Sequence, residues 1–552
     1  MLILKIMNKL IKSVLMAMVA VAVCSSCTTS KANLEETQFA MTCKIDCVNG
    51  EISTPEGRER DIEWFKRHHI SRVYLESYRH GFEAPSHLLE EAKKAFEAAG
   101  LDVAGCITTT KMSQTAPPEW PITTCYSDPT GIKFLTETVE RTAKIFDLII
   151  LDDFFLSACT CELCQEAKGD RDWTTFRLAH MMEVGEKYIL EPARRVNPNC
   201  KIIVKYPCWY EDLQVRGYDA INQTALFDYA YVGTETREGG PQTQAAWYQM
   251  WINDIGQEKS LGGWFDPLGT KPETFVEQAR QTILGGAKEV LLHSYDYLAT
   301  RNVGIAIHDG DEGVKYGIQD AAAFEYEVKG LQQMIDYIKG YEAYGIMVPK
   351  KPNEHPQADV KLVGQVGLLG IPFLGTASLK EGEGYFLTDH SSRFDNLHAS
   401  VQKALTNEKP VVCTQAVYQA LKGTGEGTWQ EAPEAWGVVL KGKECTPIGN
   451  PFEMSREELN LLRNGFTAQW GIELDAPCYV SMHLFRKGND KIEVIENFND
   501  EAINIKLNYK EAKTRKVGLA LPDAGSASVV RADENLLELT IQPRSLVLIA
   551  SE

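Results

Sequence analysis

The sequence predicts an α/β protein whose main body is a TIM-type (β/α)8 barrel, followed by a small flavodoxin-like α/β domain and a C-terminal β-sandwich. Three observations predict it. Between residues 38 and 345, eight short apolar runs alternate with helix-sized amphipathic stretches, the pattern of repeated βα units. That span has the length typical of an eightfold barrel, whereas an open doubly wound sheet would need a reason to stop at eight strands. The residues that close the apolar runs are acids, bases and tryptophans, and a barrel keeps its chemistry at the carboxyl ends of its strands.

The first strand lies in QFAMTCKIDC. A helix over residues 57–68 leads to ISRVYLESYRHG, and another over 86–99 leads to LDVAGCITTT. An amphipathic helix over 131–145 delivers the chain to FDLIILDDFF, brief and flanked by polar residues, and so a buried strand. A long helix over 172–195 precedes KIIVKYPCWYE. Then come FDYAYVGTETRE, a helix over 247–255, LGGWFDPLG, a helix over 272–285, KEVLLHSYDYL and a helix over 316–341. The proline-rich VPKKPNEHP follows. Residues 358–445 alternate strands and helices without a GxGxxG, so they are read as a small open α/β domain with no dinucleotide site. Residues 476–552, with KIEVIENF, INIKLNY and LELTIQPRSLVLIA, have the alternation of a sandwich.

Residues 1–27 are expected to be a lipoprotein signal peptide. Lys5, Lys9 and Lys12 precede an apolar run over 13–23, too short to span a bilayer as a permanent helix. Small residues before a cysteine resemble a bacterial lipobox, and Cys27 after Ser25 and Ser26 fits better than Cys24 after Val23. The expected product is exported and lipid-anchored to the outer membrane of a Gram-negative bacterium, on its periplasmic or cell-surface face. A net charge of −19, no basic stripe and no glycine-rich phosphate loop argue against a nucleic-acid partner.

The expected strand ends carry Asp46, Glu76 with Arg79, Asp152 with Asp153, Lys205 with Trp209, Glu235 with Arg237, Asp266, and His293 with Asp296. Carboxylates interleaved with aromatic faces are what a sugar site requires. Asp153 is the first catalytic candidate, with Glu235 or Asp266 as partner; Asp266 before Pro267 also reads as a turn residue. Asp152, Glu76, Arg79, Lys205, Trp209, Trp264 and Asp296 are expected to bind substrate. Trp247, Trp251 and Tyr210 are expected in the core, His293 as a hydrogen-bonded barrel residue, and His68 and His69 near the surface.

Cys159, Cys161 and Cys164 in CxCxxC spacing offer three thiolates, and tetrahedral zinc takes a fourth ligand, from Cys125 or Cys106 upstream. A disulfide is the competing reading in an oxidising compartment. A zinc here would be structural, and catalysis by two carboxylates needs no cofactor.

A barrel whose fourth strand ends in an acid pair, followed by CTCELC, a small α/β domain and a β-sandwich, resembles the family 42 glycoside hydrolases, the β-galactosidase type, as a distant relative. The resemblance covers domain order and this motif. In that family the fourth strand ends in Asn-Glu-aromatic, the Glu is the general acid/base, and the cysteines bind zinc with one more upstream. Here Asp152-Asp153-Phe154 stands in that place, with a shorter acid and with an acid in place of Asn. The resemblance implies a nucleophile ending the seventh strand, Asp266, whereas the α-galactosidase clan uses the fourth and sixth strands, Asp153 and Glu235. The expected function is a glycoside hydrolase of a poly- or oligosaccharide; the alternative is a catalytically inactive, glycan-binding surface lipoprotein. Association of chain copies is left open.

Overall fold

The computed structural model describes residues 37–237, 239–299, 314–354, 361–424 and 435–551. The expected signal peptide, with Cys24 and the lipidation site Cys27, lies outside the described residues. No described helix is long and apolar enough to cross a membrane.

Eight strands, β1 (Gln38–Cys43), β2 (Ile70–Arg79), β3 (Asp102–Ile107), β4 (Leu148–Leu151), β5 (Lys201–Tyr206), β6 (Tyr229–Gly233), β7 (Ser260–Phe265) and β8 (Glu289–Leu292), pair in parallel in sequence order. β8 pairs back onto β1, matching Gln38 to Glu289, and so closes the barrel. These are the eight runs expected. Their interiors are almost wholly buried because helices cover the outer face and side chains fill the inner one.

The helices start where the sequence supplies a cap. The Thr54 hydroxyl accepts from Gly57 N (3.0 Å) ahead of Pro55–Arg67, and the Asp128 carboxylate accepts from Thr130 N (2.8 Å) ahead of Pro129–Ala143. The long helix expected over 172–195 is interrupted: Trp173–Gly185 passes through a π turn, Glu186–Leu190, before Glu191–Val196. Pro192 lacks the N–H an unbroken α-helix would use, and the wider turn accommodates that loss.

A polar layer crosses the barrel floor. Glu289 on β8 is fully buried and engages Arg72, accepts hydrogen bonds from Tyr74 (2.6 Å) and Gln38 (2.6 Å), and accepts one from Tyr231. Beside it, a Cβ on Gly262 would meet Glu289 O at 2.1 Å, so β7 can approach β8 only with glycine there. Gly262→Ala is expected to destabilise the fold by about 1–3 kcal/mol, read as a lowered urea midpoint.

A six-stranded sheet follows. Ile346–Pro349, Phe373–Thr376, Tyr385–Leu387 and Val411–Thr414 are parallel in the flavodoxin-like order 2-1-3-4, and Gly437–Lys441 with Glu444–Ile448 extends it antiparallel. Trp247 and Trp251, on the barrel helix Gln244–Gly256, hold it in place by donating indole N–H bonds to Val348 O (2.9 Å) and Lys350 O (2.8 Å).

Two antiparallel sheets of five and four strands share one apolar core that includes Leu474, Met482, Leu539 and Val547. Two of their strands, Glu342–Tyr344 and Ile472–Asp475, come from outside the span 476–552. The sandwich meets the barrel through the buried Arg280, which pairs with Glu327 (2.6 Å) and Glu496 (2.9 Å).

Candidate active site

The carboxyl ends of the strands converge on a chain of alternating charges. At its centre is Lys205, at the end of β5 and 1% exposed. Its ammonium donates to Asp153 Oδ2 (2.6 Å), just past β4, and to Glu235 Oε1 (2.9 Å), just past β6. The two contacts laid end to end limit the separation of those carboxylate oxygens to about 5.5 Å. Trp264 of β7 lies under the ammonium, 4.7 Å from ring centroid to Nζ, and His293 stacks on the same indole at 4.8 Å.

The two acids differ in environment. The Asp153 side chain is 20% exposed, whereas that of Glu235 is 4% exposed and its Oε2 is buried with no hydrogen-bond partner. Burial pushes the Glu235 carboxyl up to about 7; Lys205 opposes this, while the charges of Asp266 and Asp153 add to it. Asp153 is also raised by burial, against the pull of Lys205 and with a push from Asp152. Asp152 goes the other way. Burial disfavours its charge, but Arg79 (2.6 Å) and Lys205 prevail and hold it below the usual carboxylate range.

Several expected substrate contacts are instead engaged with one another. Glu76, 2% exposed, accepts from Arg79 Nε (2.8 Å), from Ile45 N (2.7 Å) and from Thr108, whose hydroxyl also lies 3.0 Å from Asp152. Asp296 pairs with Lys44 (2.9 Å), both buried. Trp264, at 2% exposure between Lys205 and His293, supports the lysine rather than offering a sugar platform. Asp266, 3% exposed, is held by Arg237 Nη2 (3.0 Å) and Nε (3.3 Å) and by Leu268 N (3.0 Å). Both Asp266 oxygens are so engaged, and its charge is one of those that raise Glu235. His293 accepts from or donates to Thr42 (2.7 Å), and burial keeps its ring neutral.

Aromatic side chains rim the site. Trp209, half-buried past β5, lies 5.9 Å from Trp120 of the β3 loop, and Trp120 lies 5.8 Å from Phe154. The loop after β4 is tied down on its far side by cysteines. The Sγ atoms of Cys125, Cys159, Cys161 and Cys164 all lie within 4.8 Å of one another, with Cys125 at 3.7 Å from Cys161 and 3.6 Å from Cys164. Cys106 is buried within β3 and outside this group. No disulfide joins the described cysteines.

The family model described as "Probable glycosyl hydrolase, catalytic domain" matches residues 26–327, more than half of the chain. The chain belongs to that glycosyl hydrolase family. An uncharacterised protein of Saccharolobus solfataricus is 27% identical over 266 residues, 42% of this chain and 44% of that protein. The match therefore spans less than half of that relative. In fold, the glycosyl hydrolase chain is similar to α-L-fucosidase isoenzyme 2 from Paenibacillus thiaminolyticus, with a TM-score of 0.63 and 10% identity over 94% of this chain and 99% of that one. A β-galactosidase from Bacillus circulans sp. alkalophilus gives 0.61 and 10% over 94% and 99%. A family 42 β-galactosidase from G. stearothermophilus gives 0.61 and 11% over 93% and 98%. At such identities these likenesses show the fold alone.

Within this glycosyl hydrolase domain, sequence reasoning missed Lys44, Thr108, Trp120 and Arg216. Lys44 rather than Asp46 is the buried charge at the end of β1, because the helix Ile45–Asn49 begins at the next residue. Trp120 and Arg216 sit in loops with no periodic signal.

Proposed function

We propose that this glycosyl hydrolase cleaves an O-glycosidic bond of an oligo- or polysaccharide with two carboxylates, Glu235 as general acid/base and Asp153 as nucleophile. The observation that carries this reading is Lys205 bridging the two acids (2.6 and 2.9 Å) from different strand ends. The shared ammonium caps the separation of the two lysine-bound oxygens at about 5.5 Å, which favours the closer spacing of retaining enzymes over the 6.5 Å or more that leaves room for a water. Glu235 holds its proton to about pH 7 and can give it to the leaving oxygen. Asp153, in contact with the ammonium and more open to solvent, is the one to attack the anomeric carbon. The glycosyl-enzyme ester so formed is then hydrolysed by a water that Glu235 deprotonates.

The test is to screen the purified chain against aryl glycosides and plant or gut oligosaccharides, following product configuration by NMR. Hydrolysis with retention, lost on the unactivated oligosaccharides in Glu235→Gln, supports the reading. An inert protein that binds glycans would favour the non-catalytic alternative. The rate should fall as pH rises through about 7, where Glu235 loses its proton, measured as kcat/KM against pH.

The four cysteine sulfurs suit one structural zinc, since Zn–S bonds of 2.3 Å in a tetrahedron put the sulfurs about 3.8 Å apart. Zinc would tie the segment 153–164 to the loop at Cys125, bracing the nucleophile from behind, with no part in the reaction. Metal analysis should find about one zinc per chain, and Cys125→Ser should lose both metal and thermal stability; a disulfide map pairing these cysteines would refute it. A lipid anchor at Cys27 would display the enzyme on the outer membrane, and mass spectrometry of the mature N-terminus decides that.

A further inference from the structure

The cations at the strand ends have carboxylate partners: Arg79 has Glu76 and Asp152, Lys205 has Asp153 and Glu235, Arg237 has Asp266, and Lys44 has Asp296. Arg216 is the exception. It ends the short turn Leu213–Arg216 in the loop after β5, fixed by Gly217 in the left-handed region (φ 84°) and by Ser157 N donating to Arg216 O (2.9 Å). Its guanidinium carbon lies 5.5 Å from the ring centroid of Trp120 and 5.0 Å from that of Trp209. Among the described residues it has no carboxylate partner, and its Nε–H is buried with no acceptor. The residue as a whole is half-buried, with Nε shielded and neither Nη among the buried unpartnered atoms, so a guanidinium stacked on two indoles with no carboxylate keeps its outer N–H groups for an acceptor from outside.

The place is next to the chemistry. Tyr218, two residues on, donates to Asp153 O, and Phe154 packs on Trp120. The segment that carries Arg216 therefore also fixes the nucleophile's backbone. The Nη1–H and Nη2–H groups form the outer end of the planar fork, which fits two oxygens of an oxyanion, and a hydroxyl would leave the charge uncompensated.

We propose that Arg216, held against Trp120 and Trp209, is a subsite for an anionic substituent, a carboxylate or a sulfate, on the sugar bound beside the scissile bond. This rests on the two-carboxylate reading of the same site. With a net charge of −19 the protein as a whole repels polyanions, so a preference for acidic glycans would be local to this subsite.

The experiment measures binding of the full chain to immobilised uronic-acid-bearing and sulfated oligosaccharides, each paired with its own carboxyl-reduced or desulfated form. Wild type should bind the acidic member of a pair roughly 10- to 100-fold more tightly. Arg216→Met, which keeps the stem against the indoles, should abolish that preference, and Arg216→Lys should retain part of it. Which arm responds distinguishes carboxylate from sulfate. Equal wild-type affinity within every pair, no binding of any acidic member, or a preference that survives in Arg216→Met would overturn the proposal; the first two need no variant to fold. Acidic glycans bound with preference but never cleaved would sink the two-carboxylate function and leave the subsite standing. Neutral glycans cleaved as well as acidic ones would do the reverse.

Discussion

Glu235→Gln is expected to lower kcat/KM, which reports the glycosylation step, by about 10²- to 10⁴-fold on a substrate with a poor leaving group, and far less on a nitrophenyl glycoside. On the latter kcat should still fall, because Glu235 also activates the water of the second step. The proton it supplies matters in proportion to how badly the departing oxygen needs it. The buried Oε2 without a partner and the carboxyl pushed up to about 7 are the features of a group built to hold that proton. Asp153→Asn should instead be crippling on both substrates, because a nucleophile is needed whatever leaves. Steady-state kinetics on the two substrates separate the roles: if leaving-group sensitivity appears in Asp153→Asn and not in Glu235→Gln, the assignments are exchanged. Asp266→Asn should keep the leaving-group response of the wild type and lower the Glu235 acid limb, since its charge helps raise that carboxyl.

Lys205→Met is expected to have the largest effect on stability, and one that depends on pH. In the wild type, burial already raises both Asp153 and Glu235, and Lys205 is the chief opposing charge. Without it both carboxyls rise further. A carboxyl with a folded pKa above its unfolded value contributes stability at pH below the unfolded value, and that contribution is lost as pH climbs through the folded one. The variant should therefore be close to wild type near pH 5, where the acids can stay neutral. At pH 8, where the folded variant must either hold protons that the unfolded chain has released or bury charge without its counterion, it should be weaker by roughly 3–5 kcal/mol. Urea denaturation at the two pH values measures this. A deficit equal at both would mean that Lys205 acts by packing on Trp264 alone.

The strands of the barrel were legible because their signal is local. Runs such as LIIL and EVLL are apolar from end to end, as strands buried on both faces must be, and caps such as Thr54 and Asp128 mark where the chain turns helical. The acids at strand ends were legible for the same reason, and so was the CxCxxC group, whose spacing alone brings three thiols to one loop. The partners of those residues were not legible. Glu235 nears Asp153 only because β4, β5 and β6 pair side by side around Lys205, and the partner of Asp266 is Arg237, which reaches it across adjacent strand ends. Trp264 reads as a platform in sequence and proves to be a floor, since burial depends on what closes over a strand end. The strand Glu342–Tyr344 belongs to the distant sheet by pairing with Val480–Lys487, a contact across more than a hundred residues. Periodicity reports which face of an element is apolar; which charges meet at the mouth is decided by long-range packing of strand ends, and burial, offset by Coulomb pairing among neighbours, then sets the protonation of each acid.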